Sequence, residues 1–244
     1  MNNKLFSLVL LLSVFLSGCA ALQKPGTQVS SDPLERLQAG NKRFVRHRMK
    51  HPDQSAARIA QTAEGQKPFA VILTCSDSRV SPEIIFDEGI GDLFVIRNAG
   101  NIADEEDVLA SVEYAVKHLD VHTVVVMGHE RCGAMEAMTH EVQEGEPEHV
   151  AAIIRHLRNE PEEQVALHSG STGEALVHQC VAANVEHGVA ALRQQLSQLK
   201  GHGAEALTSV VGAVYDVQTG MVHFQQDPLN KTIEKPVYKH NDTH

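Results

Sequence analysis

Tryptophan is absent from this chain of 244 residues, and aromatic residues together make up only 4% of it. No binding site in this protein can therefore depend on a tryptophan side chain. Basic residues are also in the minority, 21 against 31 acidic ones, which gives a formal net charge of −10. A nucleic-acid partner would require a basic surface, so this charge balance argues against such a partner.

Cysteine is scarce as well. The four cysteines stand at positions 19, 75, 132 and 180. They are too few and too widely spaced for a disulfide framework in a chain of this length. Cys180 lies outside the motifs described below, and we expect it to pack as a small apolar residue.

The apolar run at the N-terminus is short. Lys4 supplies a positive charge, and the 12 residues Leu5 to Leu16 are too few for a membrane-spanning helix. The run ends in Leu16-Ser17-Gly18-Cys19, which resembles the lipobox of bacterial lipoproteins. The resemblance implies that residues 1–18 are a lipoprotein signal peptide, that Cys19 is lipidated, and that the polar residues 19–31 form a tether.

A plain secretory peptide, cleaved near Ala20 or Ala21, is the alternative interpretation of this N-terminus. If Cys19 is lipidated, Ala20 becomes the second residue of the mature chain. By resemblance to enterobacterial lipoproteins, a residue other than Asp at this position favours the outer over the inner membrane. We therefore expect a periplasmic protein that a lipid anchors to a membrane, with the outer membrane favoured.

The rest of the chain alternates apolar runs with helical patterns. This order predicts one α/β domain over residues 32–226 and a polar tail over 227–244. Asp32-Pro33 begins an N-terminal helical arm, and Asp104–Asp107 places four acids in the first turn of a later helix. The predicted sheet is flanked by helices and is mostly parallel, with four strands (69–74, 92–97, 123–127 and 209–215) and a C-terminal antiparallel edge strand (221–224).

Metal-ligand residues follow two of the predicted strands. Cys75 comes directly after the first strand, and His129 and Cys132 follow the third. If a helix begins where the third strand ends, His129 and Cys132 lie on one face of it, and its N-terminal amides favour a thiolate at Cys132. Two thiolates and one imidazole are typical of a catalytic zinc site, because they leave one coordination position open.

Asp77 and Arg79 follow Cys75 at intervals of two residues. Asp77 could itself take the open position on the zinc, and a bidentate ion pair with Arg79 would keep it away. Asp77 would then accept a hydrogen bond from the zinc-bound hydroxide, and at lower pH it could return to the metal. Each motif alone is weak, and a turn at a strand end with a buried cysteine is the structural alternative.

These motifs closely resemble those of the β-class carbonic anhydrases. The resemblance extends from about Asp32 to Phe224 and includes the segments 65–69, 75–79, 91–101 and 128–133. It implies one zinc ion per chain on Cys75, His129 and Cys132, with Asp77 and Arg79 as the catalytic pair. It also implies a substrate pocket formed by Gln66, Phe94 and Ala99, with the amide of Gly133 nearby.

The activity that this resemblance implies is the reversible hydration of CO2 to bicarbonate and a proton by a zinc-bound hydroxide. It further implies a homodimer or homotetramer in which N-terminal helices embrace the partner subunit. The amphipathic segment Leu34 to Phe44 fits this role, since the sequence suggests little else for it to pack on.

The sequence departs from the family pattern at Ile72. Some members carry a tryptophan there, which forms part of an inhibitory bicarbonate site, so we expect no such site here. Two alternative functions stay open at this point. One is a hydrolase of a CO2 analogue such as carbonyl sulfide or carbon disulfide, and the other is a zinc-binding sensor without turnover.

Overall fold

The computed structural model describes residues 30–199 and 209–225. The predicted signal peptide, the lipidation site Cys19, most of the tether and the whole of the tail therefore lie outside the described residues. Among the described residues, no helix has the length and apolar character needed to cross a membrane.

A five-stranded sheet with the strand order β2-β1-β3-β4-β5 forms the centre of the domain. The first four strands in the chain pair in parallel, and β5 pairs with β4 in the antiparallel direction. This confirms the predicted parallel sheet with an antiparallel edge strand. The strands are β1 (Ala70–Cys75), β2 (Leu93–Asn98), β3 (Thr123–His129), β4 (Ser209–Tyr215) and β5 (Val222–Phe224).

Helices cover both faces of this sheet. Because successive side chains of a strand point to opposite faces, β1 contributes Ile72 to one apolar core and Val71 and Leu73 to the other. The helices are α1 (Pro33–Val45), α2 (Ala56–Ala63), α3 (Pro82–Ile85), α4 (Glu106–His118), α5 (Gly133–Met138), α6 (Glu148–Asn159), α7 (Pro161–Leu167) and α8 (Gly173–Gln198). A short 3₁₀ turn, Ala99–Asn101, follows β2.

The N-terminal helix α1 packs on its own chain, which corrects the expectation that it has little else to pack on. Asp32 caps the helix by accepting a hydrogen bond from the Leu34 amide at 2.9 Å. Leu34 and Leu37 are buried in the core beneath the sheet, together with residues of α3 and β5. In this core the two leucine side chains bury more apolar surface than they would in a helix that extended away from its own domain.

Helix α4 begins later than the run of four acids predicts. Glu105 is its N-cap, so only Glu106 and Asp107 lie in the first turn. Asp104 precedes the helix, and its carboxylate lies 3.0 Å from the His156 ring on α6. A tertiary contact with a histidine therefore takes Asp104 away from the helix dipole that the sequence pattern assigned to it.

Candidate metal centre

Three metal-ligand side chains meet where β1, β3 and α5 come together. Cys75 is the last residue of β1 and His129 the last of β3, and these strands are parallel neighbours. Cys132 is the N-cap of α5. The two sulfur atoms and a ring nitrogen of His129 lie within 4.8 Å of one another, and all three residues are buried. The structure thus brings together the three residues that the sequence motifs predict as ligands.

The local geometry differs from the prediction that His129 and Cys132 share one helix face. His129 still belongs to the strand, and the helix begins only after Cys132. Between them the chain turns sharply, with Arg131 at a positive φ of 55°. This turn, rather than a helical spacing, brings Cys132 back towards the strand end.

The imidazole of His129 is oriented as a metal ligand. Its Nδ1 lies 3.0 Å from the carbonyl oxygen of Glu130, so Nδ1 carries the proton and donates it. Its Nε2 is therefore unprotonated, and this buried atom has no hydrogen-bond partner. Metal-bound histidines typically donate the second ring proton to a carbonyl or carboxylate in this manner. The donor set of two sulfurs and one nitrogen, with this free lone pair, fits zinc.

The two cysteine sulfurs interact directly. The pKa of Cys75 is lowered to about 4, first by a hydrogen bond from Cys132 and further by the backbone amides of Gly100 and Asp77. The Gly100 nitrogen lies 3.4 Å from Sγ of Cys75. The pKa of Cys132 is raised, because its thiol shares its proton with the Cys75 thiolate, although two amides of α5 counteract this effect. Of the two cysteines, Cys75 is therefore the one whose thiol ionises more readily.

Asp77 and Arg79 form a bidentate ion pair beside this cluster. Nε of Arg79 donates to Oδ1 of Asp77 at 2.9 Å, and Nη2 donates to Oδ2 at 2.7 Å. These hydrogen bonds hold the pKa of Asp77 well below its usual range. Oδ2 of Asp77 lies 3.9 Å from Nε2 of His129. The carboxylate is therefore ionised and held at the edge of the cluster by the arginine.

Two residues outside the predicted site support this arrangement. Arg97 donates to the carbonyl oxygens of Cys75, at 3.1 Å, and Asp77, at 2.8 Å, and so fixes the loop between them. Asn184 on α8 is buried and donates to the carbonyl of Gly100 at 2.8 Å. The signal for Arg97 was available, since it stands next to the end of β2, but Asn184 is distant in sequence.

The predicted pocket residues fall into two groups. Ala99 and Gly133 are both exposed and directly follow Asn98 and Cys132, so they lie at the rim of the metal centre. Gln66 instead precedes β1, near the N-terminal end of the strand, whereas Cys75 ends it. At about 3.3 Å per residue, the six residues of β1 separate the two ends by roughly 17 Å.

Phe94 is likewise remote from the cluster. It pairs with Val71 near the start of β1, and its ring centroid lies 6.3 Å from that of Tyr114. One chain therefore does not bring Gln66 and Phe94 to its own metal centre.

Comparisons with known proteins agree with this geometry. A family model described as carbonic anhydrase matches residues 70–222. Carbonic anhydrase 2 of Mycobacterium tuberculosis (strain ATCC 25618 / H37Rv) is 39% identical over 184 residues, which cover 75% of this chain and 87% of that protein.

Solved structures show the same fold. The β-carbonic anhydrase CcaA has a TM-score of 0.60 at 30% identity, covering 79% of this chain and 95% of that one. A chain from the structures of two tetrameric β-carbonic anhydrases of Sordaria macrospora has a TM-score of 0.59 at 26% identity. The match covers 76% of this chain and 90% of that one. These names favour neither the hydrolase nor the sensor alternative. From the family match, the identity to these relatives and the Cys75–His129–Cys132 cluster, the chain belongs to the carbonic anhydrase family and to its β class.

Proposed function

We propose that this protein catalyses the reversible hydration of CO2 to bicarbonate and a proton at the Cys75–His129–Cys132 centre. The observation that carries the proposal is the buried Nε2 of His129. This atom has no hydrogen-bond partner and faces two cysteine sulfurs at the carboxyl ends of neighbouring parallel strands. Ligands of open α/β sheets bind at such strand ends.

Cys75, His129 and Cys132 would hold one zinc ion, which when bound supplies a Lewis acid at its open position that makes a water molecule acidic and nucleophilic. Asp77 accepts a hydrogen bond from the attacking water and orients it towards CO2. Arg79 holds both oxygens of Asp77, so the carboxylate does not occupy the position meant for the water. Ala99 and Gly133 at the rim leave room for a small uncharged substrate.

The substrate pocket would be completed by a second subunit. Gln66 and Phe94 lie away from the metal centre of their own chain, so they can line such a pocket only at the centre of a neighbouring copy. This favours a homodimer or a homotetramer whose pockets combine residues of two chains. Exposed apolar side chains such as Ile84 and Tyr114 are available for such contacts.

Stopped-flow measurement of CO2 hydration, together with metal analysis, tests the proposed function. Cys75→Ala should lose the zinc ion of this centre together with the activity, whereas Cys180→Ala, the matched change of a buried cysteine outside the centre, should keep both. Asp77→Asn should keep its zinc and lose activity by about 10² or more, since it no longer orients the water. A wild-type sample with one zinc per chain and no CO2 hydration would contradict the proposal.

We also propose that Cys19 carries a lipid that anchors the protein to a membrane facing the periplasm, with the outer membrane favoured. The support is the sequence alone: the charged start, the short apolar run and the Leu16–Cys19 tetrapeptide. Metabolic labelling with radioactive palmitate should mark the wild-type protein and the Cys180→Ala variant but not Cys19→Ala. Equal labelling of Cys19→Ala would rule out this anchor, and fractionation of the membranes identifies which one holds the protein.

A further inference from the structure

A second group of metal-ligand side chains shares no residue with the Cys75–His129–Cys132 centre. It lies where helices α6, α7 and α8 meet the segment before α4, and we call it the acid–histidine cluster. Its members are Asp104, His156, Glu160, Glu162, Glu163 and His187. The cluster has no role in the mechanism described above, so its composition requires a separate explanation.

His187 connects the parts of this cluster. Its Nδ1 lies 2.9 Å from Oε2 of Glu162, and its Nε2 lies 3.1 Å from Oε2 of Glu160. Glu160 also lies 3.3 Å from the His156 ring, through its other oxygen. A neutral imidazole has only one ring proton, so one nitrogen of His187 directs a lone pair towards a carboxylate. Two carboxylates can contact the His187 ring favourably only if the ring binds a second proton or if a cation lies between the ring and a carboxylate.

The acid–histidine cluster contains more negative charge than its histidines can neutralise. It has four carboxylates and two imidazoles, so even with both rings protonated its net charge stays negative. Across residues 30–199 and 209–225, the ion pairs of these carboxylates are made with histidine and none with lysine or arginine. The side chains are only partly exposed, which weakens the compensation that water and salt provide.

Glu163 gives an independent indication of a ligand. Its side chain is fully buried, and neither carboxylate oxygen has a hydrogen-bond partner. An oxygen of Glu163 lies within 4.8 Å of ligand atoms of both Glu162 and His187. Burial raises the pKa of Glu163 to about 7. A buried carboxyl group without a partner is costly, and a coordinated cation is one of the few groups that can satisfy both its charge and its oxygens.

We propose that Glu162, Glu163 and His187 bind a second divalent cation of the zinc class, separate from the catalytic centre. One imidazole nitrogen with carboxylate oxygens is a ligand set that zinc accepts, and it is harder than the thiolate set at Cys75 and Cys132. Glu162 is 34% exposed and His187 is 18% exposed, so an ion can enter from solvent. Once bound, the ion would fasten α7 to α8.

The zinc content of the full chain after equilibrium dialysis against zinc tests this proposal. We expect two zinc ions per chain in the wild type and one in His187→Ala and in Glu163→Gln. Cys75→Ala should also retain one, which separates loss of the catalytic zinc from loss of the second ion. Added zinc should raise the melting temperature of wild type that already carries one zinc ion at the Cys75 centre, and that of Cys75→Ala, but not that of Glu163→Gln loaded at the Cys75 centre in the same way.

The controls address adventitious binding by other histidines of this chain. His140→Ala removes an exposed histidine that belongs to neither metal-ligand group. A variant with both His240 and His244 changed to alanine removes two histidines from the tail. Each should keep two zinc ions per chain. The proposal is overturned if the wild type binds only one zinc, if Glu163→Gln and His187→Ala both still bind two, or if the tail variant alone loses the second ion.

Discussion

Two carboxylates of this protein are placed in opposite environments, and each environment sets the charge state. Asp77 receives a bidentate ion pair from Arg79, which lowers its pKa, so it is ionised throughout the physiological range. Glu163 is buried without such a partner, and its pKa is raised to about 7. The first arrangement keeps a fixed acceptor beside the metal centre, whereas the second leaves a charge that destabilises the fold.

The environment of Glu163 predicts how stability depends on pH. Its pKa in the folded state exceeds the ordinary value of 4.5, so the folded chain binds this proton more tightly than the unfolded chain. The stability that this tighter proton binding provides is fully present below pH 4.5 and is lost as the pH rises through 7. In protein that carries zinc only at the Cys75 centre, Glu163→Gln should therefore raise the free energy of unfolding by about 1–3 kcal/mol at pH 8.

The same substitution should have little effect near pH 5, where the wild-type Glu163 is protonated. Urea denaturation at both pH values, at matched protein concentrations, measures the difference. An equal gain at pH 5 and pH 8 would show that the charge of Glu163 is not its cause.

Among the elements, α1 illustrates how a polar side chain can fix a helix to a sheet. Asn41 is buried, and its amide nitrogen donates to the carbonyl of Gly220 at 2.8 Å and to that of Ile85 at 3.3 Å. Its oxygen accepts from the amide of Val222 at 2.9 Å. One side chain thereby ties α1 to α3 and to the β4–β5 hairpin.

Asn41→Ala should destabilise the protein by about 2–4 kcal/mol, because three hydrogen bonds are lost and buried backbone groups are left without partners. Lys42→Ala, an exposed change on the same helix, should shift stability by no more than about 0.5 kcal/mol. Chemical denaturation of both variants at one protein concentration gives the comparison. A similar small effect for the two would mean that apolar packing of Leu34 and Leu37 alone holds α1.

At the scale of the whole molecule, the direction of the strands separates the functional residues. A parallel sheet places all carboxyl ends at one edge, and this edge carries Cys75 and His129. Gln66 precedes β1, and Phe94 is the second residue of β2. Both residues therefore lie towards the opposite, amino-terminal edge of the sheet. The proposed function therefore requires an assembly in which the Gln66 end of one chain faces the metal centre of another.

A mixing experiment tests this arrangement. Cys75→Ala and Gln66→Ala homo-oligomers should each be impaired, the first without zinc at the Cys75–His129–Cys132 centre and the second with that zinc retained. After joint unfolding and refolding, mixed oligomers should regain CO2 hydration, because an intact metal centre then faces an intact Gln66 of the partner subunit. No gain on mixing, although native mass spectrometry detects the mixed oligomers, would indicate that Gln66 does not act across the interface.

The sequence alone determined the order of strands and helices and the three candidate metal ligands. Apolar runs that end in Cys75 and His129 specify both a buried strand and the chemistry at its end, so this information is local. The pairing of Asp77 with Arg79 is also local, since the two side chains are only two residues apart.

Only the tertiary structure decided how distant segments combine. It placed Asp104 beside His156 rather than in the first turn of α4, and it buried α1 in its own core. It also brought Glu163 to His187. Helix propensity and charge patterns report the preferences of neighbouring residues, whereas burial and long-range contacts depend on the packing of the complete chain.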